Sequence, residues 1–132
     1  MILVDSSVWI DYLSSRNSRE SDLLDRLLGR DEVLVGDLMI TEVLQGFRFD
    51  SDYAVARRLL GLPGPVELVN AERSIRAADR CRLLCRKGIT VRSTIDSLIA
   101  GFCIDEGIPL LYSDRVFDPF VEHFNMPVPQ GL

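Results

Sequence analysis

The sequence predicts an α/β protein with a central, mostly parallel sheet and helices on both faces. Short apolar runs alternate along the chain with segments of helical periodicity. These runs are continuously apolar, which is typical of strands buried on both faces rather than on one. Helices that connect such strands pack on either face and produce three layers. A chain of 132 residues, 47 % of them apolar, is long enough for one domain with a substantial core.

The N-terminal half of the chain predicts two strands and four helices. An apolar strand over residues 2–4 runs straight into Asp5, and a helix is expected over residues 7–13, where Ser6 or Ser7 can cap the first turn. The remaining elements follow from apolar periodicity and from the glycines and polar caps at their ends. They are a helix at 21–28, a strand at 32–35, a helix at 38–45 capped by Asp37, and a helix at 52–60 capped by Asp50 or Ser51.

The C-terminal half repeats this alternation after a break at "GLPGP" (61–65), where glycine and proline interrupt regular structure. Asn70 can cap a long helix from residue 71 to 86 or 87, and Gly88 can end it. The other elements are a strand at 66–69, a helix at 95–106 capped by Ser93 or Thr94, a strand at 109–112, and a helical turn at 116–121 before a Pro-rich tail.

Four carboxylates lie where such a sheet is expected to bind ligands, at or near the carboxyl ends of its strands. Asp5 and Asp114 each follow an apolar strand, and Asp96 is the only charged residue in the stretch 95–104, at the margin of an apolar helix face. Glu42 lies roughly opposite the apolar face of its helix, as a solvent-facing glutamate also would. Local alternatives exist, since Asp5 can cap a turn and Asp96 can interact with its helix dipole.

Together, these carboxylates predict a cation site. Two carboxylates about 4 Å apart repel by roughly 4 kcal/mol at an effective dielectric of 20, so four converging acids stay ionised only with a cation. The single histidine, His123, lies outside these motifs, which argues against zinc, whereas oxygen ligands suit Mg²⁺ or Mn²⁺. Such an ion lowers the pKa of bound water and holds a phosphate oxygen. The pattern therefore indicates phosphodiester hydrolysis.

Three stretches of the chain also carry a family resemblance: "ILVDSSVWIDYL" at 2–13, "ITEVLQGF" at 40–47 and "TIDSLIAGFCIDEGIPLLYSD" at 94–114. In this order they resemble the PIN-domain ribonucleases, and among them the VapC toxins of bacterial toxin–antitoxin pairs. The resemblance extends from residue 1 to about residue 124 and implies a single PIN-like domain over 1–132, a three-layer sandwich with a twisted sheet. It implies that the catalytic, metal-binding acids are Asp5, Glu42, Asp96 and Asp114.

One departure from the family's pattern follows the last strand. Many relatives carry D-x-D-F there, whereas this chain reads Asp114-Arg115-Val116-Phe117 and has Asp118 two residues after the valine. Valine cannot ligate a metal, so the number of metal ions stays open. Asp118 is predicted either to substitute as a metal ligand or to cap a helix.

Basic residues concentrate in one segment of a chain whose net charge is −5. Residues 71–92 hold seven basic and two acidic residues. Arg73, Arg76 and Arg80 recur along one side of the long helix and predict either a solvated, partly paired face or a track for phosphates or an acidic partner segment. Beside the acids, the predicted substrate contacts are Arg92, Arg115 and, by the resemblance, Ser7 at the metal-side loop.

The resemblance implies an endoribonuclease toxin that cuts single-stranded regions of structured cellular RNA, tRNA or rRNA, with Mg²⁺ or with Mn²⁺ in its place. It also implies a homodimer that assembles further with a cognate antitoxin, which blocks the active site. The first residues lack a basic start and a long apolar stretch, so a cytoplasmic protein without a membrane partner is expected.

Two other interpretations use the same acids. A catalytically weakened PIN-like module would only bind RNA or a partner, and Val116 is its support in the sequence. A phosphoaspartate receiver domain would need a second aspartate beside the first and a lysine near the last strand. The chain instead has Asp5-Ser6-Ser7 and no lysine after Lys87, which argues against a receiver.

Overall fold

The computed structural model describes residues 1–130 and contains a four-stranded sheet between helices, as the sequence predicts. The last two residues of the predicted 1–132 domain lie outside the described residues. The strands are β1 (Ile2–Val4), β2 (Val33–Gly36), β3 (Pro65–Val66) and β4 (Leu110–Leu111). The helices are α1 (Ser6–Leu13), α2 (Arg19–Leu28), α3 (Asp37–Leu44), α4 (Asp50–Gly61), α5 (Ala71–Arg86), α6 (Thr94–Glu106) and, after a 3-10 turn at Arg115–Phe117, α7 (Asp118–Phe124).

All pairs in the described sheet are parallel, in the strand order β3-β2-β1-β4. The central strand, β1, pairs Leu3 with Leu34 of β2 on one side and with Leu110 of β4 on the other. The first strand therefore lies at the point where the winding of the sheet reverses, which is where open α/β sheets bind ligands. Asp5 is the next residue after β1.

Each face of the sheet has its own hydrophobic core. Leu3 and Leu110 pack into one cluster with residues of α5, α6 and α7. Their neighbours Val4 and Leu111 pack into the other cluster with residues of α1, α2 and α4. Because both faces are covered, the strands need apolar residues at successive positions, which explains the continuous apolar runs. Among residues 1–130, no helix has both the length and the apolar composition needed to cross a bilayer.

The two outer strands are shorter than predicted, and each edge of the sheet carries a proline. β3 begins with Pro65 and extends only to residue 66. Beside β4, the backbone N–H of Leu110 donates to the carbonyl oxygen of Pro127 at 3.1 Å, so the Pro-rich tail lies along this edge.

Helix starts are where prediction and structure differ most. The cap of α1 is Asp5, not Ser6 or Ser7, because its Oδ2 accepts from the backbone N–H of Ser7. α2 begins two residues early, since Ser18 and Ser21 form a capping box. The predicted caps of the two long C-terminal helices are confirmed: they are Asn70 for α5 and Ser93 for α6.

Asp37 does not cap α3 as predicted but is its first residue. Its Oδ1 accepts from the backbone N–H groups of Leu38 (2.8 Å) and Leu68 (3.3 Å), which ties the start of α3 to the segment after β3. Gly36 directly precedes it, and a Cβ there would overlap Leu68 and lie 2.8 Å from Sδ of Met39. Only glycine allows this close approach between β2 and the segment after β3.

The long helix α5 is held on α6 by a network of ion pairs. Asp105 accepts from Arg73 (3.4 Å), Arg76 (2.9 Å) and Arg80 (2.5 Å), and Arg73 also donates to Glu106 at 2.8 Å. Burial raises the pKa of Asp105, but hydrogen bonds from Arg76 and Arg80 and their charges outweigh this effect and hold the pKa below its usual range. These three arginines therefore serve the packing of α5 on α6 and are not a free phosphate track.

Arg73 is the most buried member of the network, with 7 % of its surface exposed. Its Nη1 donates to the carbonyl oxygen of Leu68 at 3.0 Å, and its guanidinium lies 5.0 Å from the ring centroid of Phe102. A cation over an aromatic face in a desolvated place is stabilising.

We expect Gly36→Ala to lower the free energy of unfolding by about 1–3 kcal/mol, because the added methyl group has to displace Leu68 and Met39. Urea unfolding followed by circular dichroism measures this loss. Gly61→Ala is the matched control, since a Cβ at this helical position meets no atom within 4 Å. Equal stability of the two variants would contradict the steric explanation.

We expect Asp105→Asn to cost roughly 3 kcal/mol at neutral pH, because it leaves buried guanidinium groups without their carboxylate. The pKa of Asp105 is lower in the folded chain than the value of about 3.9 in the unfolded chain. Its stabilisation is therefore complete above that value and is lost as the pH falls through the lower, folded-state pKa. Urea unfolding of both proteins should show the difference shrinking below about pH 4.

Glu72→Gln is the control for this prediction. Glu72 is 88 % exposed and lies 3.9 Å from Arg76, so its loss should change stability by less than about 0.5 kcal/mol. A cost for Asp105→Asn that is independent of pH would contradict the role given to its charge.

Candidate functional site

Four predicted acids come together at the carboxyl edge of the sheet. Asp5 follows β1, and Glu42 lies on α3, the helix that follows β2. Asp114 follows β4 and caps the 3-10 turn, where its Oδ1 accepts from the backbone N–H of Val116 at 3.2 Å. Asp96 lies in the first turn of α6. Two of the side chains therefore follow the adjacent strands β1 and β4, and the other two come from the helices α3 and α6.

Asp5 is the most buried of these acids, with 3 % of its surface exposed. Ser7 donates to its Oδ2 twice, from the backbone N–H at 3.1 Å and from the hydroxyl at 2.5 Å. The other oxygen, Oδ1, is buried and has no hydrogen-bond partner in the described part of the chain. Burial raises the pKa of Asp5 despite the hydrogen bonds of Ser7, and the charge of Asp114 raises it further. A buried acceptor without a donor is costly, and its free lone pairs mark a place for a ligand.

Glu42 and Asp96 are half-buried, and burial is the largest cause that raises the pKa of each. The charge of Asp5 is the next cause for both. Asp96 also raises the pKa of Glu42, and Asp114 raises that of Asp96. Asp5, Glu42 and Asp96 therefore lie close enough to other carboxylates of the site for those charges to disfavour their ionisation.

The acids do not form a closed cluster. Within residues 1–130, no three side chains of the His, Cys, Asp and Glu types lie close enough together to make a ready-made set of metal ligands.

Asp118, the fifth predicted acid, has a different partner. It is the first residue of α7, and its Oδ1 accepts from the hydroxyl of Tyr112 at 2.8 Å. Burial and this hydrogen bond raise the pKa of Tyr112. The charges that raise the pKa of Asp5, Glu42 and Asp96 do not include that of Asp118.

Ser7, predicted as a substrate contact, is engaged within the protein. Its hydroxyl donates to Asp5 and accepts from the backbone N–H of Ser113 at 3.4 Å. Ser7 thus connects the first turn of α1 with the loop after β4 and orients the carboxylate of Asp5.

Arg92 and Arg115 flank a surface pocket of about 250 Å³ that is also lined by Asp96. Both arginines are exposed, and in the part of the chain that the structure describes neither forms an ion pair. Two guanidinium groups are therefore available beside the acids. The rest of the pocket lining comprises Thr90, Val91, Ser93, Val116 and Pro119.

Two residues near the acids were not predicted from the sequence to take part in the site. Ser6 was expected only as a cap, yet its Oγ donates to Oε1 of Glu42 at 3.2 Å. Cys103 is fully buried, and its pKa is raised by burial and by the charge of Asp5, so its thiol stays neutral. A signal for Cys103 exists in the sequence, because it follows Asp96 by two helical turns on the same face of α6.

The chain is similar to known proteins of one family. The family model for the PIN domain matches residues 2–120. A VapC ribonuclease of Mycobacterium bovis is 31 % identical over 132 residues, which covers 96 % of each chain. Ribonuclease VapC11 of Mycobacterium tuberculosis matches with the same identity and coverage. The chain therefore belongs to the PIN-domain family and, within it, is a relative of the VapC ribonucleases.

Proposed function

We propose that this protein is a Mg²⁺- or Mn²⁺-dependent endoribonuclease, the toxin of a type II toxin–antitoxin pair, and that it cuts structured cellular RNA, tRNA or rRNA. The observation that carries the proposal is the buried Oδ1 of Asp5, which has no hydrogen-bond donor among residues 1–130 and lies among carboxylates of raised pKa. The relatives' names, which are those of ribonucleases, support the reaction class.

The donor set fits a hard divalent cation. Mg²⁺ and Mn²⁺ prefer carboxylate oxygens, and a buried oxygen without a hydrogen bond is available as a ligand. A cation also offsets the repulsion that raises the pKa of these acids. We assign the ligands to Asp5, Glu42, Asp96 and Asp114, and we leave out Asp118, whose charge is not among those that act on the other acids.

When bound, a divalent cation lowers the pKa of a water molecule and stabilises charge on the phosphate. The chain's own residues orient the ligands and hold the RNA. Ser7 holds Oδ2 of Asp5 and leaves Oδ1 free. Ser6 donates to Oε1 of Glu42, and Oε2 remains for the cation. Arg92 and Arg115 hold RNA phosphates beside Asp96.

The catalytically weakened binding module remains the second candidate, and Val116 is the observation that favours it. Val116 is 39 % exposed and lines the pocket beside Asp96, so an apolar surface stands where many relatives carry a carboxylate. This candidate requires tight RNA binding without cleavage in millimolar Mg²⁺ or Mn²⁺. The presence of all four acids, Asp5, Glu42, Asp96 and Asp114, favours hydrolysis.

We also propose that residues 1–132 form a single PIN-like domain, that the protein acts in the cytoplasm as a homodimer, and that a cognate antitoxin assembles with it and covers the acids. The resemblance of the three motifs and the match to the PIN-domain family support this assignment. Induced expression in a bacterium, followed by sequencing of new RNA ends, identifies the target. Growth arrest with one discrete cleaved RNA is the expected result.

Asp5→Asn is expected to reduce RNA cleavage by at least about 100-fold, and chelation of divalent metal is expected to abolish it, because both remove the cation from the site. The free energy of unfolding should stay unchanged or rise, since a buried charge among like charges is removed. Gel assays of cleavage and urea unfolding measure the two effects.

Asp31→Asn is the control, because Asp31 is exposed and its positive φ of 54° suits asparagine. It should cleave RNA like the original protein. Undiminished cleavage by a well-folded Asp5→Asn variant would refute the proposed function.

Arg92→Ala and Arg115→Ala should each weaken RNA binding and reduce the slope of log affinity against log salt by about 0.7, the contribution of one phosphate contact on a single strand. Fluorescence anisotropy at several salt concentrations measures both quantities. Arg82→Ala, an exposed change on α5, is the control and should leave the slope unchanged. Equal effects of the three substitutions would mean that the pocket has no special role.

A further inference from the structure

Ser6 connects two of the acids across the fold. It lies next to Asp5 in sequence, 9 % of its surface is exposed, and its Oγ donates to Oε1 of Glu42, 36 residues away. Since the side chain of Asp5 caps α1, the hydroxyl of Ser6 is not needed to cap the helix. Its hydrogen bond joins the first turn of α1 to α3.

Among residues 1–130, the bond from Ser6 is the one hydrogen bond that holds the carboxylate of Glu42. Its side chain has several rotatable bonds and is only half-buried, and the charges of Asp5 and Asp96 raise its pKa. Repulsion therefore favours rotamers in which the carboxylate turns toward solvent. A hydrogen bond to a charged group opposes that rotation, because such bonds are stronger than neutral ones.

The two consecutive serines have parallel roles. Ser7 donates to one oxygen of Asp5, and Ser6 donates to one oxygen of Glu42. In each acid the second oxygen remains available. One turn of backbone thus orients carboxylates that come from two different elements of the fold.

We propose that Ser6 is a positioning residue for the divalent cation: by holding Oε1 of Glu42, it keeps this carboxylate within reach of the ion that Asp5 binds. The inference rests on the proposed function, in which Glu42 is a metal ligand. Groups that orient metal ligands typically contribute 10- to 100-fold to metal affinity or activity.

The experiment is titration calorimetry of Mn²⁺ into the full chain without RNA. Ser6→Ala should weaken Mn²⁺ binding by about 10-fold or more, and Ser6→Thr, which keeps the hydroxyl, should restore most of it. Cleavage rates should follow the same order.

Ser21→Ala is the matched control. Ser21 is also a buried serine, 5 % exposed, but its hydroxyl donates to backbone carbonyls at the start of α2 and touches no acid of the site. It should lower the midpoint of urea unfolding and leave the affinity for Mn²⁺ unchanged, which separates a loss of stability from a loss of positioning.

A double substitution distinguishes the inference from the function beneath it. With Glu42→Ala already present, Ser6→Ala should cause no further loss of Mn²⁺ affinity. If Glu42→Ala weakens binding but folded Ser6→Ala does not, the role of Ser6 is wrong and the proposed function stands. If neither Asp5→Asn nor Glu42→Ala changes Mn²⁺ binding, the metal site itself is wrong and both proposals fall.

Discussion

Repulsion between carboxylates at one edge of the sheet is the constraint on which the rest of this structure depends. Burial raises the pKa of Asp5, Glu42 and Asp96. The charge of Asp5 raises the pKa of Glu42 and Asp96 further, and the charge of Asp114 does the same to Asp5. Side chains that disfavour one another's ionisation stay together only if their backbones are held by other forces. Strand pairing holds the loops after β1 and β4, and two helices need separate attachments.

Those attachments meet at one residue, Leu68, in the segment after β3. Its backbone N–H donates to Asp37 at the start of α3, and its carbonyl oxygen accepts from Arg73, which binds the C-terminal end of α6 through Asp105. The helices that carry Glu42 and Asp96 are thus fixed to the same segment. The arginines of α5 provide the positive charges for this attachment, although the chain as a whole is acidic.

The parts of this arrangement that depend on local sequence could be predicted, and those that depend on distant partners could not. Apolar strands running into Asp5 and Asp114 indicated both the sheet and the edge where the acids meet. Glu42 was ambiguous because α3 lies between the two cores: Met39 packs into one cluster and Val43 into the other, so no single apolar face marks its exposed side.

The arginines of α5 show more clearly that contacts with distant partners cannot be predicted from local sequence. Arg73, Arg76 and Arg80 bind acids 25 to 33 positions away, and helical spacing does not reveal such distant partners.

The prolines at the edges of the sheet affect how this protein can contact other proteins. Pro65 and Pro127 have no backbone N–H, so neither outer side of the described sheet offers an uninterrupted row of donors to a new strand. A partner's strand that paired with either edge of the described sheet would therefore meet a position without a backbone donor.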